Sequence, residues 1–206
     1  MGYDVHGMSP TINKEKSKFL KSLELPDGYI DWKKFEKLTD SKKEKYWEDA
    51  KEHKNSNPGI YFRNNVWWWR PLWDYVCEIS EDVMSEEDIE AGHSNSGCEI
   101  HEDTIERMLI KLRIEIALDN HKTYEKERTE KLKKLPLETC TYCKGTGTRE
   151  WLEGKQDCNS CNTEYTKKEG IPIGKVKQWD CSYPFSAENV ENFVKFLEES
   201  GGIQIC

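Results

Sequence analysis

Apolar side chains recur every three or four positions in several stretches of this chain, the spacing that gathers them on one face of a helix. Ile105, Met108, Leu109, Leu112 and Ile116 form one such stripe, and Asp103 with Glu106 three residues on has the form of a capping box at its start. Leu72, Trp73, Val76 and Ile79 form a second, with Pro71 where a first helical residue is expected. A third runs through Val190, Phe193, Val194 and Leu197, opened by Ser186 as N-cap and stopped by Gly201-Gly202. A charged helix from His121 to Lys134 ends before Pro136. Short strands are expected only at the ends, with Tyr3 and Val5 in residues 1–8 and with Ile203 and Ile205. The first and last strands are expected to pair, on a core built from the 71–79, 105–116 and 190–197 helices.

Between the first strand and that core lies a block rich in lysine and glutamate. Phe19, Leu20 and Leu23, then Trp32, Phe35, Leu38, Tyr46 and Trp47, sit there at helical spacing. They predict two amphipathic helices broken at Leu25-Pro26-Asp27-Gly28. Asn55-Ser-Asn-Pro58-Gly59 closes the block with turn-forming residues, so 14–58 reads as an inserted helical hairpin.

The cysteines carry the clearest chemistry. Cys140 and Cys143 form one CxxC pair and Cys158 and Cys161 a second, with 14 residues between them, enough for the chain to reverse and present both pairs to one ion. Two disulfides or a redox CxxC suit this tandem spacing less well, and no basic-then-apolar leader opens the chain. The expected cofactor is a structural zinc ion held by four sulfurs in a lobe spanning 139–179. With no coordination position open to water or substrate, such an ion stabilises rather than catalyses. The fold class expected is α+β, mostly helical, a single domain over 1–206 with a short terminal sheet and this embedded lobe.

Charge narrows the partners. The net charge is −8, and from Asp74 to Glu106 there are 12 acidic residues with no Lys or Arg, which repels a phosphate backbone. General nucleic-acid binding through a broad basic face is therefore disfavoured, and the acidic stretch suits a basic partner, nucleic-acid mimicry or a solvated surface. No apolar run reaches membrane-spanning length, and eight cysteines without a leader point to the cytoplasm.

Four tryptophans, at 67, 68, 69 and 73, fall within seven positions and cannot all enter one core from one helix. Arg63, Asn64, Asn65, Trp68 and Arg70 combine stacking faces with planar donors and acceptors, the chemistry that recognises carboxylate, phosphate or a base edge. His93 and Asn95, in the loop Gly92-His-Ser-Asn-Ser-Gly97, join them as candidate ligand-binding residues. The structural alternative is a Trp-rich core with Asn64-Asn65 as a helix cap and the loop as a plain connection. Catalytic signals are sparse: Cys77, Cys98, Cys181 and Cys206 lie in no motif, Cys77 and Cys98 read as core, and Asp4 with His6 on one side of a strand is a candidate acid–base pair, a strand-end Asp being more often a turn-former.

Met1-Gly-Tyr-Asp-Val-His-Gly, Tyr61-Phe-Arg-Asn-Asn-Val-Trp-Trp-Trp-Arg-Pro-Leu-Trp, His93-Ser-Asn, Cys140-x-x-Cys143-x-Gly145-x-Gly147 and the ending Tyr183-Pro-Phe-Ser-Ala-Glu-Asn-Val-Glu-Asn-Phe-Val-Lys-Phe-Leu resemble a family of small uncharacterised proteins of tailed bacteriophages and prophages. The resemblance spans most of the chain outside 14–58 and implies a phage-type accessory role with no transferable activity. The CxxCxGxG element also resembles half of the zinc domain of DnaJ-type chaperones. Glycines are missing after the second pair and there is no His-Pro-Asp motif, so chaperone function is not carried over. The expected function is non-catalytic binding of a host protein or a small anionic ligand through the Arg63–Trp73 region. The alternatives are an enzyme acting on a nucleotide or similar anion in that cleft, and an acidic DNA mimic.

Overall fold

The computed structural model describes residues 2–26, 28–152 and 154–206. Met1 at the head of the first strand and Asp27 in the hairpin break lie outside them. In chain order the elements are β1 (Gly2–Gly7), α1 (Lys18–Ser22), α2 (Trp32–Glu36), α3 (Asp40–Ser56), β2 (Tyr61–Asn65), α4 (Val66–Ser80), α5 (Glu86–Ala91), β3 (Cys98–Ile100), α6 (Glu102–Ala117), α7 (Asn120–Lys133), β4 (Glu138–Thr139), β5 (Thr148–Trp151), β6 (Gly154–Asp157), α8 (Glu164–Lys168), β7 (Lys175–Val176), α9 (Ala187–Leu197) and β8 (Ile203–Ile205). The protein is α+β and mostly helical. No helix among the described residues is long and apolar enough to cross a membrane.

The chain divides into two compact units, one made of 1–121 with 186–206 and the other of 122–185. In the first, a four-stranded sheet runs in the order β2-β1-β8-β3 with antiparallel neighbours. The terminal strands do pair, Val5 opposite Ile205 and Gly7 opposite Ile203. Strands β2 and β3, which the sequence pattern does not announce, turn the expected two-stranded ribbon into a sheet. Tyr3, Val5, Ile203, Ile205 and Ile100 are buried, while Asp4 and His6 alternate to the other side. Helices α4, α6 and α9 pack together through the expected stripes, with Leu72, Trp73, Val76, Ile105, Met108, Leu112, Val190, Phe193 and Leu197 all buried.

Three local expectations are corrected. Helix α4 begins at Val66, five residues before Pro71, because Asn65 accepts hydrogen bonds from the Trp67 and Trp68 N–H groups at 3.0 and 3.2 Å and starts the helix there. Pro71 therefore sits inside the helix, where it has no N–H to return to the Trp67 carbonyl. Helix α6 starts at Glu102 behind His101 with no side-chain cap, so Asp103 and Glu106 make no capping box. The box instead opens α5, where Ser85 and Asp88 bond each other's backbone N–H. Cys77 and Cys98 are only half-buried, not core residues.

Among its described residues the inserted block holds three α-helices rather than two. The second expected segment breaks at Lys37-Leu38-Thr39, and Thr39 flanks α3 without a side-chain bond. Trp32, Phe35, Tyr46 and Trp47 meet edge-on, with ring centroids 5.1–5.6 Å apart, and α3 buries no residue. Buried Asn57 clasps the neck: its Oδ1 accepts from the Asn13 and Lys14 N–H groups, and its Nδ2 donates to the carbonyls of Lys14 and His53. Because this aromatic cluster closes on itself, replacing residues 14–54 by a short Gly/Ser linker is expected to leave a folded, metal-loaded protein. Circular dichroism with metal analysis checks this. Insoluble or molten product would show the block to be part of the core.

Candidate functional site

The 122–185 unit is organised around its cysteines. Strands β4 and β7 pair, and the Cys140 N–H bonds the Gly174 carbonyl at 2.8 Å, setting the first CxxC at the end of this ribbon. The chain then turns through Lys144, Gly145 and Gly147, all at positive φ, which is why glycine recurs there. Close approach also demands Gly174, where an added Cβ would lie 2.2 Å from the Gly145 carbonyl oxygen. The β5–β6 hairpin leaves from Gly147 and returns at Cys158, whose N–H bonds the Gly147 carbonyl at 2.9 Å. The second CxxC leads into α8 through a reciprocal Thr163–Thr166 cap, and the buried Thr166 hydroxyl donates to the Cys161 carbonyl.

All four thiols are buried and lie within 4.8 Å of one another, with Cys140–Cys158 at 3.8 Å and Cys143–Cys161 at 3.5 Å. Those separations are far beyond a disulfide bond of about 2.0 Å. Burial works against ionisation of Cys143, but the Gly147 N–H at 3.2 Å and the neighbouring thiols outweigh it and bring that thiol down to about 6. Burial also opposes ionisation of Cys158, which the N–H groups of Ser160 and Cys161 overcome, while burial and the surrounding thiols push Cys161 up to about 12. Four buried sulfurs this close to one another are a ligand set for a thiophilic cation. The four cysteines form a site that can hold a metal ion.

The candidate ligand-binding residues are not gathered into one site. Trp69 and Trp73 stack at 5.5 Å inside the core, whereas Trp67 and Trp68 remain more than a third exposed. Asn65 is the α4 cap, and Asn64 Nδ2 donates to Asn189 Oδ1 at 2.8 Å. Arg70 lies exposed on α4. The His93 ring is exposed while its carbonyl accepts the Tyr3 hydroxyl at 3.0 Å, and Asn95 Nδ2 reaches the Gly2 carbonyl at 3.4 Å. The 89–93 backbone thus serves the core, since Ile89 and Gly92 carbonyls also accept the indole N–H groups of Trp73 and Trp69.

Arg63 alone of these residues lines a cleft of about 450 Å³ in the first unit. The register of β1 on β2 sets Arg63 opposite Asp4 and Tyr61 opposite His6, with Arg63 Nε 3.6 Å from the Asp4 carboxylate. Lys54, Asn55, Tyr61, Asn192 and Lys195 line the cleft with it, and no carboxylate among the described residues does. Lys54 Nζ lies 5.2 Å above the Tyr61 ring. Burial, then the hydrogen bond it donates to Asp4, push the Tyr61 hydroxyl up to about 12. Sequence reasoning misses Lys54, Asn192 and Lys195 as site residues, because they come from α3 and the outer face of α9 and only the fold brings them to β2. A second cavity, of about 810 Å³, is lined by carboxylates including Glu86, Glu87, Glu90 and Glu99 from the acidic stretch. Burial, then the Asp74 charge, push the Cys77 thiol up to about 12, which leaves little thiolate at neutral pH.

No family model, curated protein or solved structure matches this chain.

Proposed function

We propose that this is a non-catalytic, zinc-stabilised, phage-type accessory protein of the host cytoplasm that binds a small anionic ligand. The observation that carries the reading is the cleft at β2, where Lys54, Arg63 and Lys195 converge with two amides and no carboxylate among the described lining residues. Three cations around one concavity attract a phosphate or carboxylate group, and Asn55 and Asn192 supply neutral partners for its remaining oxygens. The cavity makes a small ligand a better fit than a flat protein surface. Tyr61 held near 12 and committed to Asp4 is a poor proton donor at neutral pH, which ranks the nucleotide-enzyme reading second.

Zinc as the ion in the cysteine cluster rests on geometry. Four Zn–S bonds of about 2.3 Å in a tetrahedron put the sulfurs about 3.8 Å apart, and the Cys140–Cys158 and Cys143–Cys161 sulfurs lie 3.8 and 3.5 Å apart. Sulfur-only ligation in a closed, buried site suits zinc over magnesium or calcium, which take oxygen donors.

Calorimetric titration with inorganic phosphate and with a nucleoside monophosphate tests the cleft. Arg63→Met and Lys195→Met are each expected to weaken binding at least about tenfold. Arg63 is two-thirds exposed and its ion pair with Asp4 is long, so Arg63→Met is expected to change stability by less than about 1 kcal/mol. Thermal melts check that second outcome. A large drop in melting temperature would return Arg63 to a structural role.

A further inference from the structure

The β5–β6 hairpin buries none of its described side chains, yet it and the neighbouring Tyr142 present large exposed apolar groups. Tyr142 is 67% exposed, Trp151 45%, and Leu152 is fully exposed. These groups contribute nothing to a core, since only Val176 among the described, partly buried apolar residues packs on the cysteine cluster. The aromatic residues are nevertheless organised. The Arg149 guanidinium lies 5.3 Å from the Tyr142 ring centre and 4.8 Å from that of Trp151, and its Nη1 donates to Asn159 Oδ1 at 3.1 Å. Arg149 and Trp151 are two apart and share a face. Gln156 stands opposite Arg149 on that face, and Gly154 opposite Trp151 leaves open space where a side chain would cover the indole. The cysteine cluster staples the hairpin at its base through Cys143 and Cys158, so the platform needs little ordering when a ligand arrives.

We propose that this face binds single-stranded nucleic acid, with bases stacked on Trp151 and Tyr142, a phosphate at Arg149 and the Gln156 amide at a base edge. Charge favours this occupant. Residues 122–185 carry 13 Lys and Arg against 10 Asp and Glu, whereas the rest of the chain carries 18 against 29. The acidic balance of the whole protein is thus confined to the other unit, and no broad basic face is required. A duplex hides its base faces from the rings. An acidic peptide uses the arginine but leaves the rings idle, and an apolar peptide buries the guanidinium without a counter-charge. A strand with exposed bases satisfies both kinds of group, and each stacked base is worth roughly 5- to 150-fold in affinity.

Fluorescence anisotropy of full-length, zinc-loaded protein with a labelled oligothymidylate of about 12 nucleotides tests this. Binding is expected, with a preference for the strand over its duplex and over oligoglutamate. Tyr142→Ala with Trp151→Ala is expected to weaken binding at least about tenfold, while Tyr142→Phe with Trp151→Phe retains it. Tyr142 sits between two cysteines, so zinc content is measured on every variant. If Tyr142→Ala loses the metal, Trp151→Ala alone decides. No binding, equal binding by the metal-loaded alanine variant, loss of binding by a metal-loaded phenylalanine variant, or preference for duplex or oligoglutamate would each overturn the proposal.

Discussion

Replacing Cys158 by Ser is expected to unfold residues 122–185 while the unit formed by 1–121 and 186–206 keeps its structure. The reason is the poverty of apolar burial around the cysteines. Apart from the four thiols, the buried hydrophobic residues described in this 64-residue unit are Ile171 and Phe185. Two side chains supply about 3–6 kcal/mol of burial, far below the entropy of ordering that many residues. A structural zinc contributes apparent binding energy on the order of 10–16 kcal/mol at neutral pH, so the proposed ion, rather than a core, is expected to hold the lobe. Serine supplies no thiolate, and the remaining three ligands are left in a site with an open edge. The first unit has its own buried stripes and should be spared. Metal analysis should find one zinc per chain in the parent and a loss in the variant, and amide NMR signals should collapse only for 122–185. A chelator is expected to reproduce the effect. A zinc-free chain with the lobe signals intact would overturn the assignment.

What the sequence makes legible follows from local rules. The CxxC spacing is a ligand pattern in itself, and the stripes at 105–116 and 190–197 and the pairing of the last strand with the first need only periodicity and end signals. Failures come where tertiary structure overrides a local signal. Pro71 is a good opener of helices, but Asn65 supplies a cap one turn and more upstream, and packing of Trp69, Leu72 and Trp73 carries the helix through the proline. The pair Asp103 and Glu106 has the right spacing for a box without the right start. Strand β2 lies hidden inside an aromatic run because its partner, β1, is more than fifty residues away. The cleft is half visible: Arg63 stands out, but Lys54 and Lys195 are ordinary surface lysines until α3 and α9 are placed beside β2. Asn57 looks like turn chemistry, and only the fold shows it tying both ends of the insertion.

The Trp cluster is resolved by burial, and its energetics can be tested residue by residue. Trp69 is fully buried, stacks on Tyr3 at 5.2 Å and Trp73 at 5.5 Å, meets Phe193 edge-on at 5.7 Å, and donates its indole N–H to the Gly92 carbonyl at 2.6 Å. Trp69→Ala is therefore expected to cost about 3–5 kcal/mol, combining lost burial with the cavity left behind. Trp69→Phe keeps a ring but strands the Gly92 carbonyl, at a cost of about 1–3 kcal/mol. Trp68→Ala, on the same helix but over a third exposed, should stay below about 1 kcal/mol. Gly92→Ala supplies the complementary case: its Cβ would fall 1.9 Å from the Trp73 ring, and neither the stacked indole nor the Gly92 carbonyl holding Trp69 is free to retreat. Overpacking there is expected to cost at least about 3 kcal/mol, since ring and backbone must both shift. At roughly 3 °C per kcal/mol for a unit of this size, Trp69→Ala and Gly92→Ala should each lower the melting temperature by about 10 °C, against at most about 3 °C for Trp68→Ala. Equal, small effects for all three would mean that the 89–93 segment does not clamp the aromatic core, and the Gly92 loop would then be a plain connection.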